Sequence, residues 1–245
     1  MYHCAFPDFG GDEDNVTVDA ITEFKNQAGK DIVWASFSDN WMNNIHFPLN
    51  EVNTIIGEGI LPYIRMMPKT NFIENQVDPV YTLQKIINGE YDSDLTQWFT
   101  DAKNTNTTLL VEFGTEVNGS WFSWNGKYHG AGEKTAYGDP LKADGPERFV
   151  DAYRHIVDLC NNVGADNITW FFHLDDNGEP NEDWNNFENY YPGDNYVDWV
   201  GVSSYGQITK KDEYGALETK LDQVYKRIIA LTNKPIAILE TGMIE

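Results

Sequence analysis

Two glutamates in this sequence stand where apolar runs give out. Glu116 lies three residues past the run 108–113 (TLLVEF), and Glu240 directly follows the run 235–239 (PIAIL). If both runs are strands of a βα barrel, their C-terminal ends open on one face, where barrels keep their chemistry. The runs are the fourth and seventh of seven expected strands, three steps apart, which sets the two carboxylates roughly across the barrel mouth. Such a pair suits glycosidic cleavage. One carboxyl protonates the leaving oxygen and the other attacks the anomeric carbon; a gap of about 5–5.5 Å gives retention and a wider one inversion. Burial and mutual repulsion would keep one of them protonated near neutral pH. Rim carboxylates also serve as helix caps or ion-pair partners, and the residues alone leave that reading open.

The elements that must position this pair read as strand–helix alternation. Strands are expected at 3–6, 31–37, 61–67, 108–113, 168–173, 197–203 and 235–239. Continuous apolar runs, rather than strict alternation, fit strands covered on both faces, as in a parallel sheet. Between them Val18, Ile21 and Phe24 share a helical face, and so do Val52, Ile55 and Ile56. Leu95, Trp98, Phe99 and Ala102 repeat at helical spacing after Ser93, a candidate N-cap. Pro146 is expected to open a long helix that carries Phe149, Tyr153, Ile156, Val157 and Cys160 and closes at Gly164. Leu217, Leu221, Val224, Ile228 and Ile229 form a last stripe, while 175–189 reads as a long polar loop with at most short helical turns. The alternation fits a barrel or a doubly wound sheet. No G-x-G-x-x-G follows the first strand, and the Gly10-Gly11-Asp12 stretch is acidic, a poor anion cradle. An α/β (β/α)8 TIM barrel is therefore expected, as one catalytic domain over residues 1–245.

Composition narrows the partners. With 17 Lys and Arg against 39 Asp and Glu, the net charge is −22, a field that repels a phosphate backbone and disfavours anionic polymers. No apolar run approaches the ~18 residues of a membrane span. Neither nucleic acid nor membrane is expected as a partner, whereas a neutral polysaccharide or oligosaccharide is compatible. Eight Trp and 13 Tyr could serve sugar stacking or a large core. The five His and two Cys show no metal-ligand spacing, so no metal and no cofactor is expected, and two cysteines make no disulfide framework.

The residues around the glutamates resemble glycoside hydrolase family 26. The stretch from Glu116 through Val117, Asn118, Gly119, Ser120, Trp121, Phe122 and Ser123 to Trp124 is similar to that family's E-M-N-G-x-W-F-W signature. The Tyr191-Pro192-Gly193-Asp194 stretch, followed by 196–202 (YVDWVGV) and Tyr205, resembles its sixth-strand block, and 238–242 (ILETG) its nucleophile strand. The resemblance implies a retaining endo-β-glycanase of β-mannanase or β-glucanase type, working by double displacement. Glu116 would be the acid/base and Glu240 the nucleophile. Tyr205 would hydrogen-bond the nucleophile, and Trp121 would line the sugar site. One position departs: where the family has His before the acid/base, this chain has Thr115, which leaves substrate identity open. Asn118, Trp124, His173, Arg65 and Trp41 are further candidates for substrate contact, with core packing as the competing role for each.

If Glu240 ends the seventh strand, the barrel is truncated after it. The domain is then expected to be incomplete at both ends. The full-length form is expected to be secreted or extracellular and monomeric, although this chain shows no signal peptide. The rival reading is a carbohydrate-binding barrel without catalysis.

Overall fold

The computed structural model describes residues 4–42, 44–207 and 217–243. Six parallel strands form one sheet in sequential order: β1 (Trp34–Asn40), β2 (Leu61–Met67), β3 (Leu109–Phe113), β4 (Ile168–Asp175), β5 (Trp199–Tyr205) and β6 (Ile236–Gly242). The sheet curls into a half-barrel with helices between its strands. The seventh expected strand, at 3–6, is reduced among the described residues to one parallel bridge between Ala5 and Ala35; His3 lies outside them. Four of the strands reach two or three residues beyond the apolar runs. Period-2 geometry explains this: near the C-terminal ends the inward positions are polar, so the run stops before the strand does.

The helices are α1 (Val18–Ala28), α2 (Leu49–Gly57), α3 (Leu83–Ile87), α4 (Asp92–Asn104), α5 (Asp144–Val163) and α6 (Leu217–Leu231). Thr17 caps α1, its hydroxyl accepting from the Ala20 amide. Ser93 is not a cap: α4 begins at Asp92 behind Tyr91, and Ser93 lies in its first turn. Pro146 likewise does not open α5, which starts two residues earlier at Asp144. It still falls in the first turn, where its missing N–H costs no helical bond. Gly164 closes α5 in the left-handed conformation (φ 72°). The loop after β4 carries two short 3-10 turns, Asp183–Asn185 and Phe187–Tyr190.

The main core lies between the sheet and its helices. Trp98 and Phe99 of α4 and Phe149 and Tyr153 of α5 are fully buried against Val111 and Phe113 of β3 and Trp170 and Phe172 of β4. Burying each phenylalanine contributes roughly 1.5–3 kcal/mol relative to exposure. The concave face has a smaller apolar layer of Tyr63, Leu110, Phe171 and Ala237, with Trp34, Trp199 and Leu239 packed on it. Two positions further along the same strands the inward residues are Ser36, Arg65, Glu112 and His173. A dry floor thus carries a layer of charge, set toward the C-terminal ends of the strands. Cys4 and Cys160 are both free thiols, the first half-buried and the second buried. Among the described residues no helix is long and apolar enough to cross a membrane.

Candidate active site

Strand alternation alone does not bring Glu240 to the cleft. Along β6, Leu239 packs on the concave apolar layer, so the next residue should face the helices. The pairing of β5 with β6 slips between Val202 and Ser203: Val202 opposes Ile238, but Ser203 opposes Glu240. This β-bulge at Leu239 inserts one residue and re-aims the strand. Leu239 and Glu240 consequently line the same concave pocket.

Glu116 arrives differently. Past β3 the chain turns through Gly114 (φ 68°) and Glu116 itself takes φ 47°. A non-glycine residue in this region carries local strain of order 1 kcal/mol and survives only where its surroundings fix it. They do so here. The Val117 amide donates to the His173 carbonyl (3.1 Å) and the Gly119 amide to the Glu116 carbonyl (2.8 Å). The Asn118 side chain is doubly bonded to the Asp175 backbone (2.8 and 2.9 Å). Asn118, 2% exposed, therefore clips the β3 turn to the end of β4 rather than facing solvent.

The two carboxylates meet. One oxygen of each, with a ring nitrogen of His173, all lie within 4.8 Å of one another. Tyr205 donates to Glu240 Oε2 (2.7 Å), and Arg65 Nη2 lies 3.0 Å from Glu240 Oε1. Trp121 Nε1 donates to Glu116 Oε2 (2.7 Å). Burial, and then the nearby Glu240 charge, raise the pKa of Glu116 above the ordinary carboxylate value, against the opposing influence of His173, Ser203 and Trp121. Glu116, Glu240, Trp121 and Tyr205 border an open cleft of about 660 Å³, shared with Phe122, Asp175 and Lys220. Asp175 is pushed up to about 7, by burial first and then by the charge of Glu116.

Beneath the pair lies a charged layer in which Arg65 and His173, expected as substrate contacts, are buried at 7% and 2% exposure around Glu112, which the sequence reading did not single out. Glu112 is fully buried; its Oε2 accepts from the Tyr63 hydroxyl (2.6 Å) and from His173 Nδ1 (2.8 Å), and its Oε1 from Arg65 Nε (3.2 Å). Burial alone would raise its pKa, but the charge and hydrogen bond of His173, then Arg65 and the Tyr63 hydroxyl, hold it at about 2. Arg65 also reaches Glu13 (3.2 Å) and donates to Thr115 Oγ1 (3.2 Å). The signal was present: a glutamate inside an apolar strand must be paired to be tolerated.

Two more candidates, like Asn118, stay out of the cleft. Trp41 is fully buried, edge-on to Tyr81 and beside Phe113. Trp124 is buried too, stacked on Phe122 (4.4 Å) with Nε1 bonded to the Thr115 carbonyl (2.8 Å). Both hold the frame of the site. Trp184 of the long loop lines a separate groove with Lys134, Arg154 and Tyr191.

The sequence model of glycosyl hydrolase family 26 matches residues 67–242. This chain belongs to that family. Endoglucanase H of Acetivibrio thermocellus is 27% identical over 229 residues, 92% of this chain and 23% of that protein. A mannan endo-1,4-beta-mannosidase of Bacillus subtilis is 29% identical over 150 residues, 61% of this chain and 35% of that protein. The chain thus spans about a third or less of the length of these relatives. Among solved structures, the beta-mannanase from a symbiotic protist of the termite Reticulitermes speratus, complexed with gluco-manno-oligosaccharide, superposes with a TM-score of 0.67 at 16% identity. It covers 99% of this chain and 74% of that one, and at this identity the likeness is one of fold. The match runs from the last residue of β2 through β6, so it includes β3, β5 and β6, the strands that lead to Glu116, Tyr205 and Glu240.

Proposed function

We propose that this chain is the catalytic face of a retaining endo-β-glycanase acting on a neutral polysaccharide, β-1,4-mannan or β-1,3-1,4-glucan. The observation that carries the reading is the approach of Glu116 and Glu240. Carboxylate oxygens within 4.8 Å fit the ~5–5.5 Å arrangement of double displacement and leave no room for the water of an inverting enzyme. Environment divides the roles. Glu240, steadied by Arg65 and the Tyr205 hydroxyl, attacks the anomeric carbon and forms the glycosyl–enzyme ester. Glu116, whose burial favours its neutral form, gives its proton to the leaving oxygen, then takes one from the water that hydrolyses the ester. Trp121 holds Glu116 by its indole N–H.

The substrate class rests on the net charge of −22, which disfavours anionic polymers, and on the names of the two relatives, an endoglucanase and a mannan endo-1,4-beta-mannosidase. A polymeric substrate cannot cross a cell membrane, which places the work outside the cell. The test is hydrolysis of mannan, lichenan and xylan, with the anomer of the first product read by NMR. Glu116→Ala and Glu240→Ala should each abolish turnover on polymer, and azide should restore a glycosyl azide, of β configuration from Glu116→Ala and of inverted configuration from Glu240→Ala. An α first product from a β-linked glycan, or full activity in either variant, refutes the assignment. Oligosaccharide binding without release of reducing ends would favour the non-catalytic barrel instead.

A further inference from the structure

Seven of the eight tryptophans pack against another aromatic ring. Trp184 is the exception among the described residues, and it is half-buried. Its indole is nonetheless held. Nε1 donates to Glu182, a bond in the plane of the ring that fixes it without covering a face. The pyrrole side rests on Gly132, where an added Cβ would lie 2.7 Å from Trp184 Cδ1. The ring borders a groove of about 920 Å³. Pro146, Val150 and Arg154, at i, i+4 and i+8 along α5, line the same groove as one helical face.

The loop that carries Trp184 is built onto the turn that carries Glu116. Gly119 and Glu179 form a parallel bridge, and the Glu179 amide donates to the Asn118 carbonyl (2.8 Å). Asn185, 2% exposed, donates to the Asn118 and Pro180 carbonyls (2.8 and 3.0 Å). Its Oδ1 accepts from Asn125 Nδ2 (3.2 Å) and from the Tyr190 hydroxyl (2.6 Å). Trp184 is therefore held at a set distance from Glu116. Asn181 lines both the groove and the two-glutamate cleft, so the two openings meet on one surface.

We propose that the Trp184 groove is a distal binding site for the same neutral glycan chain whose scissile bond lies at Glu116 and Glu240. The proposal rests on the glycanase reading of that cleft. The lining chemistry supports it. Three cations and five carboxylates border the groove, and several are paired: Lys142 lies 4.0 Å from Glu147, and Glu188 2.7 Å from Arg227. Mixed charges offer donors and acceptors to hydroxyl groups, while their negative excess repels a polyanion. The indole adds a rigid apolar face for the C–H groups of a pyranose ring. A chain that enters the cleft reaches the groove at the high effective concentration set by its own backbone. Contacts this far from the scissile bond hold ground state and transition state alike, so they act on KM rather than kcat.

Two measurements test this. The first needs no turnover: native electrophoresis of the Glu240→Ala protein through gels containing mannan or lichenan. At least one polymer should retard it, and adding Trp184→Ala should weaken the apparent affinity about ten-fold, the scale of one aromatic stacking contact. Trp184→Phe, which keeps a ring, should retain most of the retardation. An inactive protein that shows this pattern would fail the proposed function without failing the binding inference. The second is kinetic. In Trp184→Ala, KM on the polymer should rise about ten-fold with kcat kept, while KM on an aryl disaccharide glycoside, too short to leave the cleft, stays within two-fold. Equal retardation with and without Trp184, or retardation by neither polymer, overturns the proposal. So does an equal loss on the short substrate, which would make Trp184 a support of the cleft. Trp184-dependent retardation with an unchanged polymer KM would put a second chain in the groove and overturn the single path.

Discussion

Replacing Arg65 by Met should destabilise the fold by about 3 kcal/mol at pH 7. The guanidinium side chain is 9% exposed and touches three carboxylates, but they do not count equally. Glu13 and Glu240 are 36% and 28% exposed, and such pairs contribute about 0–1 kcal/mol each. Glu112 is 1% exposed, and Arg65 Nε is the donor to its Oε1. A charge-assisted hydrogen bond lost from a buried acceptor costs about 1.5–3 kcal/mol. His173 and Tyr63 remain on Oε2, which keeps the loss toward the lower end of the ~3–5 kcal/mol typical of a broken buried pair. Urea unfolding with an unchanged m-value measures it. The pH dependence supplies a second check. With its folded pKa held at about 2, Glu112 contributes stability that is full above the ordinary carboxylate range and is lost as pH falls toward 2. The variant has less of this to lose, so the gap between the two proteins must narrow below pH 4.5. A loss under about 1 kcal/mol at pH 7, or a gap that stays constant to pH 3, refutes the reasoning.

Three further outcomes follow from the geometry. Tyr205→Phe removes the 2.7 Å bond to Glu240 and should lower kcat roughly 10- to 100-fold, from about 1.5–3 kcal/mol, with thermal stability unchanged; a change under three-fold on polymer would show that the hydroxyl is idle. Gly119→Ala drives a methyl into the six-membered ring of Trp121, so the indole must leave Glu116; a roughly ten-fold loss of kcat/KM and a displaced ring in a crystal structure are expected. Asp39 is fully enclosed, and burial pushes its pKa up to about 7, against its bond from Trp98 Nε1. Its neutral form contributes stability that is full below pH 4 and lost as pH rises to about 7. Asp39→Asn should therefore gain in melting temperature relative to wild type across that range, and equal pH profiles for the two proteins would contradict the raised value.

Much of the frame was legible because it follows from local periodicity. The apolar runs marked all six sheet strands, and the stripes on α4 and α5 marked their buried faces, since a parallel strand covered on both sides needs continuous apolar residues. Strand ends were misread wherever polar inward residues interrupt the run, as at Ser38, Asp175 and Tyr205. Trp41 and Trp124 looked like cleft aromatics because residue type does not tell which side of a rim a ring turns to. Glu112 was passed over as part of a strand, although a lone carboxylate among Leu109, Leu110, Val111 and Phe113 implies buried partners.

The sequence by itself determined the parallel strand–helix order, the family and the two glutamates at strand ends, because run length, order and a short motif are all one-dimensional. Only the tertiary structure decided that the glutamates meet. Strict alternation would have turned Glu240 toward the helices; the bulge opposite Ser203 turns it back. Alternation is a property of one strand, whereas a bulge depends on the pairing of two. The charge layer under the cleft is non-local in the same sense: Arg65, Glu112 and His173 come from three strands and satisfy one another only once the sheet has curled.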